Sequence, residues 1–425
     1  MSQHPPRKAI AVIGSGVAGL TAAYLLDKHY DVTLFERNDY AGGHTHTIEL
    51  ESGPDRGLGV DTGFIVLNNH TYPLFRQLLA RLGVATQNSD MSFAFASEIS
   101  GLQYAGTDLS GLFAQRWNLM NPRFLALLRG IIRFCKIAQE DLHSGRLTGR
   151  TVGDYLAWRK VSEQTIRCYI VPMAGAIWSA SAAGIRDFPA EALIRFWENH
   201  GLLSLKNRPQ WMTVQGGSHA YVKRMRETWN VRLELNAQLD HVRRGANGVT
   251  LRHRDGREQT FAIAVLAAHA DESLRLLADP TPDEQRLLGP WSYQPNRTVL
   301  HTDERAMPSN RRAWASWNYV ERPLTEEKSP VAVTYHMNRL QNLRAQQDYF
   351  VTLNDTQSIR ADRILREFTY DHPVYTFASL ATQRELPSLN GVHNTFFCGS
   401  YFGYGFHEDA VRSGVAVAQA LGATL

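Results

Sequence analysis

Three glycines and one acid carry the first chemistry that can be read in this chain. Gly14-Ser15-Gly16-Val17-Ala18-Gly19 has the spacing G-x-G-x-x-G, and Glu36 stands 22 residues beyond Gly14. In such a turn the first glycine permits the tight bend, the second lets a pyrophosphate approach the backbone, and the third lets helix and strand pack closely. An acid at that distance accepts hydrogen bonds from a ribose diol and repels a 2′-phosphate, which disfavours NADP, although Arg37 beside it moderates the preference. Other catalytic patterns are thin. His44-x-His46 offers two imidazoles without carboxylate or thiol company, so no metal site is expected. There is no G-x-S-x-G, no H-E-x-x-H and no P-loop, so a bound cofactor is expected to carry the reaction.

Elements suited to position these residues surround them. Lys8 to Ile13 is a β-branched apolar run of the kind found in buried parallel strands, Val17 to Lys28 has helical spacing, and Asp31 to Phe35 reads as a second strand. A helix starting just after the turn supplies free N–H groups and positive dipole for phosphates. Ala9 to Leu26 is uncharged for 18 residues, the threshold for a membrane-spanning helix, but Gly14, Gly16 and Gly19 divide it into strand, turn and helix. Asp27 and Lys28 follow where a signal peptide needs small residues, so neither a targeting segment nor a membrane span is predicted.

At about 150 residues per domain, 425 residues suggest two or three domains, or one large domain with an insertion. A content of 44% hydrophobic and 20% charged residues excludes disorder. The net charge of +4 is too small and dispersed for a nucleic-acid binder. Cys135, Cys168 and Cys398 are an odd count without C-x-x-C, which points to a reducing cytoplasm rather than a disulfide framework.

Glu36-Arg-Asn-Asp-Tyr-Ala-Gly42-Gly43-His44-Thr45 resembles the E-x-x-x-x-x-G-G-R-x-T run of the flavin-containing amine oxidase superfamily, which includes monoamine and polyamine oxidases, protoporphyrinogen oxidase and carotenoid desaturases. The resemblance implies that Gly42 and Gly43 pass close to the ribose and pyrophosphate of FAD; His44 stands where many members carry Arg. Asp61-Thr-Gly63-Phe64-Ile65 resembles the strand laid beside the isoalloxazine, and Leu239 the apolar residue whose backbone meets adenine. Asn394 to Phe397, Cys398-Gly399-Ser400 and the Tyr401 to Phe406 loop resemble the terminal strand and helix start of the family, with the helix opening at about Glu408. By that pattern the His407 N–H faces the flavin pyrimidine, and Phe406 and Tyr375 form facing aromatic walls. Asp409 replaces the usual Gly, and the acidity of Glu408 and Asp409 is explained by the helix dipole. The cofactor residues implied are Gly14, Ser15, Gly16, Ala18, Gly19, Glu36, Arg37, Gly42, Gly43, His44, Thr45, Gly63, Phe64, Ile65, Leu239, Gly399, Ser400, Phe406 and His407. The fold class implied is α/β, with a Rossmann-like FAD-binding domain assembled from residues 1–90, 211–289 and 386–425 and an α+β substrate domain from 91–210 and 290–385.

Within the substrate segments, Leu125, Leu128, Ile132 and Cys135 recur at helical spacing opposite Arg129, Arg133 and Lys136. This reads as a bundle helix with a solvated basic face, the alternative being a helix on an anionic membrane surface. Tyr169 to Ile185 is uncharged but broken by Pro172, Gly175 and Gly184, and is placed against an apolar pocket. Trp314, Trp317, Tyr319 and Tyr335 read as sheet core. Many amine oxidases carry a Lys holding a water near N5; the comparable strand here, Thr298 to Asp303, has His301 and no Lys. No Cys stands where monoamine oxidases attach flavin, which implies non-covalent FAD. The segments Trp178-Ser, Asn199-His-Gly201, Gln210-Trp211, Trp314 to Asn318 and Leu340-Gln resemble a bacterial subgroup encoded near cyclopropane-fatty-acid synthases. The function this implies is hydride transfer from a substrate C–H to flavin N5, desaturating or oxidising a fatty-acyl, lipid or other apolar substrate. His301, Tyr375, Phe406 and His407 form the expected catalytic set, with the two histidines as candidate bases. Alternatives are a conventional amine oxidase using O2, a non-catalytic FAD-holding partner protein, and an NAD-binding protein. The expected location is cytoplasmic, with peripheral contact at the inner face of the membrane as the variant that a lipid substrate favours.

Overall fold

The computed structural model describes residues 7–204, 208–246, 248–323, 331–355 and 359–425; residues 1–6, on which part of the targeting reading falls, lie outside the described residues. The uncharged N-terminal run folds as strand β1 (Ala9–Ile13), a glycine turn and helix α1 (Val17–Leu26), followed by β2 (Asp31–Phe35). β1 and β2 pair in parallel. β3 (Arg232–Glu234), β4 (Ile263–Leu266) and β5 (Thr395–Phe397) complete a parallel sheet in the order β3-β2-β1-β4-β5. Nine of the ten α1 residues are buried, which is why this helix lacks the polar face of a surface helix. The terminal helix α5 (His407–Ala420) covers it through Ala410, Val411 and Val415. The Asp255–Gly256 turn closes a hairpin that pairs Leu251 with Gln259.

A seven-stranded sheet forms the other half. Its order is Ile364–Val374, Ser292–His301, Phe350–Leu353, Val333–His336, Trp317–Glu321, Phe93–Ser97 and Gln103–Ala105. Helices α2 (Pro122–His143), α3 (Val171–Trp178) and α4 (Ala190–Asn199) pack beside it. Among the described residues no helix is long and apolar enough to cross a membrane.

α2 corrects the expected apolar stripe. Its buried residues include Phe124, Leu127, Phe134 and Ala138, whereas Ile132 is 55% exposed beside Arg129 and Arg133. Two adjacent stripes on this helix have compatible spacing, and the core takes the one carrying two phenylalanines: Phe134 meets Trp197 edge-on at 6.1 Å and Phe124 meets Tyr104 at 5.6 Å. The Tyr169 to Ile185 stretch is helical up to Trp178, then breaks at Ser179, which has φ +54°.

Candidate active site

The β1–α1 turn and the Gly42-Gly43 turn lie in contact. A Cβ on Gly43, whose φ is +58°, would fall 3.1 Å from the Gly16 Cα, so this crossing requires glycine. Gly16 is different: a Cβ there would meet no atom within 4 Å, because the residue faces a cavity. Glu36, at the end of β2, is buried and accepts hydrogen bonds from the Ser15 N–H (3.0 Å), the Ser15 hydroxyl (2.6 Å) and the Asn38 N–H (2.9 Å). The carboxylate therefore fastens the glycine turn and stands in the cavity wall. Arg37 pairs with Glu272 at the rim.

The cavity has a volume of about 850 Å³, near the upper end for ligand sites, and is walled by both halves of the molecule. It brings together seventeen of the nineteen expected cofactor residues; Gly19 and Thr45 are absent from its wall. Gly19 instead packs on the turn, where a Cβ would come within 2.0 Å of the Gly14 carbonyl oxygen. Thr45 is turned inward, its hydroxyl bonded to the Tyr221 hydroxyl at 2.6 Å and the His407 Nε2 at 3.3 Å.

Three of the four expected catalytic residues have other partners. His301 is fully buried away from the cavity, with Nε2 on the Thr352 hydroxyl (2.7 Å) and Nδ1 accepting the Asp303 N–H (3.1 Å). The strand register points it into the sheet core. Tyr375 also lies behind the wall: its hydroxyl donates to the Gly403 carbonyl at 3.0 Å, bracing the loop from outside. Phe406 does line the cavity, but the ring facing it is Phe196 of α4, 4.5 Å away and inclined by 24°. The His407 imidazole stacks on Phe64 at 3.5 Å and bonds Tyr221, and burial pushes its pKa down to about 3. Its Nε2 is occupied by the Tyr221 and Thr45 hydroxyls, while its backbone N–H heads α5, where no intrahelical acceptor exists.

Glu408 and Asp409 do more than match a dipole. Glu408 accepts the Leu74 and Phe75 N–H groups, both at 2.9 Å, capping the helix Pro73–Leu82. Asp409 accepts the Tyr404 and Phe406 N–H groups at 2.9 and 3.2 Å and pairs with Arg412. A Cβ at Gly403 would lie 2.3 Å from the Asp409 Oδ1, so loop and acid fit one another.

Histidines on the wall are held neutral. His44 is pushed well below its usual range by burial and by His372, which it faces at 5.4 Å. Its buried Nε2 has no protein partner, as expected of a group that meets a ligand. His372 bonds the Ser179 hydroxyl at 3.0 Å. His200 bonds the Phe196 carbonyl through Nδ1 at 2.9 Å, which leaves Nε2 as the acceptor nitrogen, and burial lowers its pKa to about 4. The sequence reading missed His200, His372, Phe196 and Ser179, and it placed Trp317 and Tyr335 in the core although both line the cavity. They come from five separate segments of the chain, and nothing in their spacing says that the fold brings them to one wall.

The sequence pattern of flavin containing amine oxidoreductases matches residues 17–422, nearly the whole chain. The chain belongs to that family. Its cofactor is FAD, and the cavity fits it: an open Gly16 at a helix N-terminus, a buried acid at the end of β2, an unpartnered His44 nitrogen and a second helix N-terminus at His407 lie on one wall. A 1-hydroxycarotenoid 3,4-desaturase of a Flavobacterium is 62% identical over 45 residues, 10% of this chain and 9% of that protein. The matches to the first curated relatives span less than two thirds of those proteins' own lengths. A putrescine oxidase variant shares the fold with a TM-score of 0.71 at 15% identity, covering 98% of this chain and 99% of that one. A fatty acid isomerase of P. acnes has a TM-score of 0.65 at 16% identity, covering 98% and 99%.

Proposed function

We propose that this protein is an FAD-dependent oxidoreductase that desaturates or oxidises an apolar, acid-ended substrate such as a fatty-acyl chain. The supporting observation is the composition of the chamber beyond the cofactor wall. Among the described residues, the substrate half lines it with Met91, Phe93, Tyr169, Met173, Trp317 and Tyr335 and with no lysine, and its charged contributions are Arg208 and Asp371. Asp371 lies close enough to His269 to act on its charge, which puts it at the cofactor side. Arg208 acts on the Tyr169 hydroxyl at the substrate side. One guanidinium at the edge of an apolar chamber suits a carboxylate or phosphate on an apolar chain and opposes an ammonium.

Bound flavin supplies the hydride acceptor. The chain's own residues do the rest: the Gly16 turn and α1 would hold the pyrophosphate, Glu36 would accept the ribose hydroxyls, and Phe196 and Phe406 form one aromatic wall. His200, neutral with Nε2 as acceptor, receives the proton that leaves the substrate. None of the three cysteines lines the cavity, which supports non-covalent FAD. A conventional amine oxidase is the second reading, favoured by the family itself. An anaerobic half-reaction separates the two: bleaching of the visible flavin band by fatty acids or phospholipids and not by amines is the expected result. Bleaching by amines alone overturns it. His200→Gln should slow bleaching and leave FAD content unchanged.

A further inference from the structure

The segment preceding α2, together with the solvent face of α2, carries a surface unlike the rest of the molecule. Leu109, Trp117, Leu119 and Met120 are 53–89% exposed, and Ile132 adds a fifth apolar side chain along α2. From Leu109 to Gln139 the sequence contains five basic residues, Arg116, Arg123, Arg129, Arg133 and Lys136, and no Asp or Glu. All five are exposed. Nearby ion pairs engage Arg146, Arg159 and Arg167 instead. Large apolar side chains held in water beside unpaired cations are costly to leave uncovered. That combination is what an anionic lipid interface satisfies: apolar tips enter the headgroup region while the basic residues meet phosphate.

The patch also lies against the substrate chamber. A groove lined by Leu102, Trp117, Met120, Phe124 and Cys168, together with the charged Arg123, Arg167 and Glu163, opens beneath it. Tyr104 separates this groove from the chamber: its ring lines the chamber, packs on Phe124 at 5.6 Å, and its hydroxyl donates to the Cys168 carbonyl at 2.9 Å. Further along α2, burial pushes the Cys135 thiol up to about 11, and Arg208 of the chamber wall is near enough for its charge to offset part of that rise. Two residues of the chamber wall, Tyr104 and Arg208, thus lie beside the basic helix.

We propose that the Trp117–Met120 segment and the Arg129, Arg133 and Lys136 face of α2 dock the protein on an anionic phospholipid surface, with the Tyr104 groove turned to the membrane. Docking itself does not depend on the proposed chemistry; delivery of an acyl chain past Tyr104 does. Flotation of the FAD-loaded full chain with vesicles tests docking without turnover, so it can fail while apolar oxidation stands, and the reverse. Binding to phosphatidylglycerol-rich vesicles and not to pure phosphatidylcholine is expected. Each basic residue removed should weaken it about fivefold, so Arg129→Glu combined with Arg133→Glu costs at least about 25-fold. Met120→Asp should also release the protein while its flavin absorbance stays normal. Failure of the wild type to float, equal binding to neutral vesicles, or flotation of the double variant like wild type overturns the proposal. So does light scattering that shows a dimer dissolved by Met120→Asp, which would make a second copy the occupant.

Discussion

Gly16→Val separates folding from cofactor binding. Gly16 caps α1 with φ −61° and ψ 170°, an extended conformation that valine adopts readily, and a Cβ there meets nothing within 4 Å. The loss of a tolerable N-cap residue costs the fold about 1 kcal/mol at most. In the loaded protein the same space would let a pyrophosphate reach the first N–H groups of α1. Two hydrogen bonds to a charged group, at about 1.5–3 kcal/mol each, correspond to a weakening of FAD binding by about 10²- to 10⁴-fold. Titrating apo-protein with FAD by fluorescence quenching reads the affinity, and a thermal melt of the apo-protein reads the fold. Gly19→Ala is the control with the opposite outcome: its Cβ would sit 2.0 Å from the Gly14 carbonyl oxygen and 3.0 Å from the Ala267 Cβ, so the apo-fold should lose about 1–3 kcal/mol or more. A Gly16→Val protein that melts normally and binds FAD within about threefold of wild type would show that the pyrophosphate lies elsewhere.

Asp409→Ala removes the acceptor for the Tyr404 and Phe406 N–H groups; stability should fall by about 1–3 kcal/mol and the flavin band should shift as Phe406 moves, both checked on the purified holoprotein. Acid should destabilise the fold. The His407 pKa is lowered from 6.5 to about 3, so the unfolded chain takes up a proton that the folded one refuses, and stability is lost as pH falls below 6.5. His200, His301 and His372, each lowered to about 4, act in the same direction, whereas Asp61, raised by burial to about 7, and Glu408 and Asp409, also raised by burial, act in the other. Denaturant midpoints at pH 5 and 6.5 should differ accordingly, and His407→Gln should remove about 2 kcal/mol of that difference; a flat profile would refute the assignment. Met173→Trp narrows the apolar chamber without touching the cofactor wall, so kcat/KM for a long acyl substrate should drop about tenfold or more while FAD content holds.

The parallel strands, the glycine turn and the acid at Glu36 were legible in the chain because each rests on local chemistry: β-branched runs make buried strands, and a G-x-G-x-x-G turn admits a phosphate wherever it occurs in that setting. The chain also fixed the absence of a lysine in the comparable strand, a matter of composition alone. His301 illustrates the limit. Its neighbours in sequence say that it lies on a strand, but only the pairing of Ser292–His301 with Phe350–Leu353 turns its ring toward Thr352 and away from the cavity.

α2 is the same lesson on a helix. A period of 3.6 residues admits more than one apolar stripe, and the choice of Phe124 and Phe134 over Ile132 was made by Tyr104, Tyr155 and Trp197, which approach from elsewhere in the chain. The chamber that selects the substrate follows from such choices. Met173, His200, Trp317 and Tyr335 meet only when two sheets close around one cavity, so the residue types were set by the sequence, whereas their shared environment, with its exclusion of water and its neutral histidines, was decided by tertiary packing.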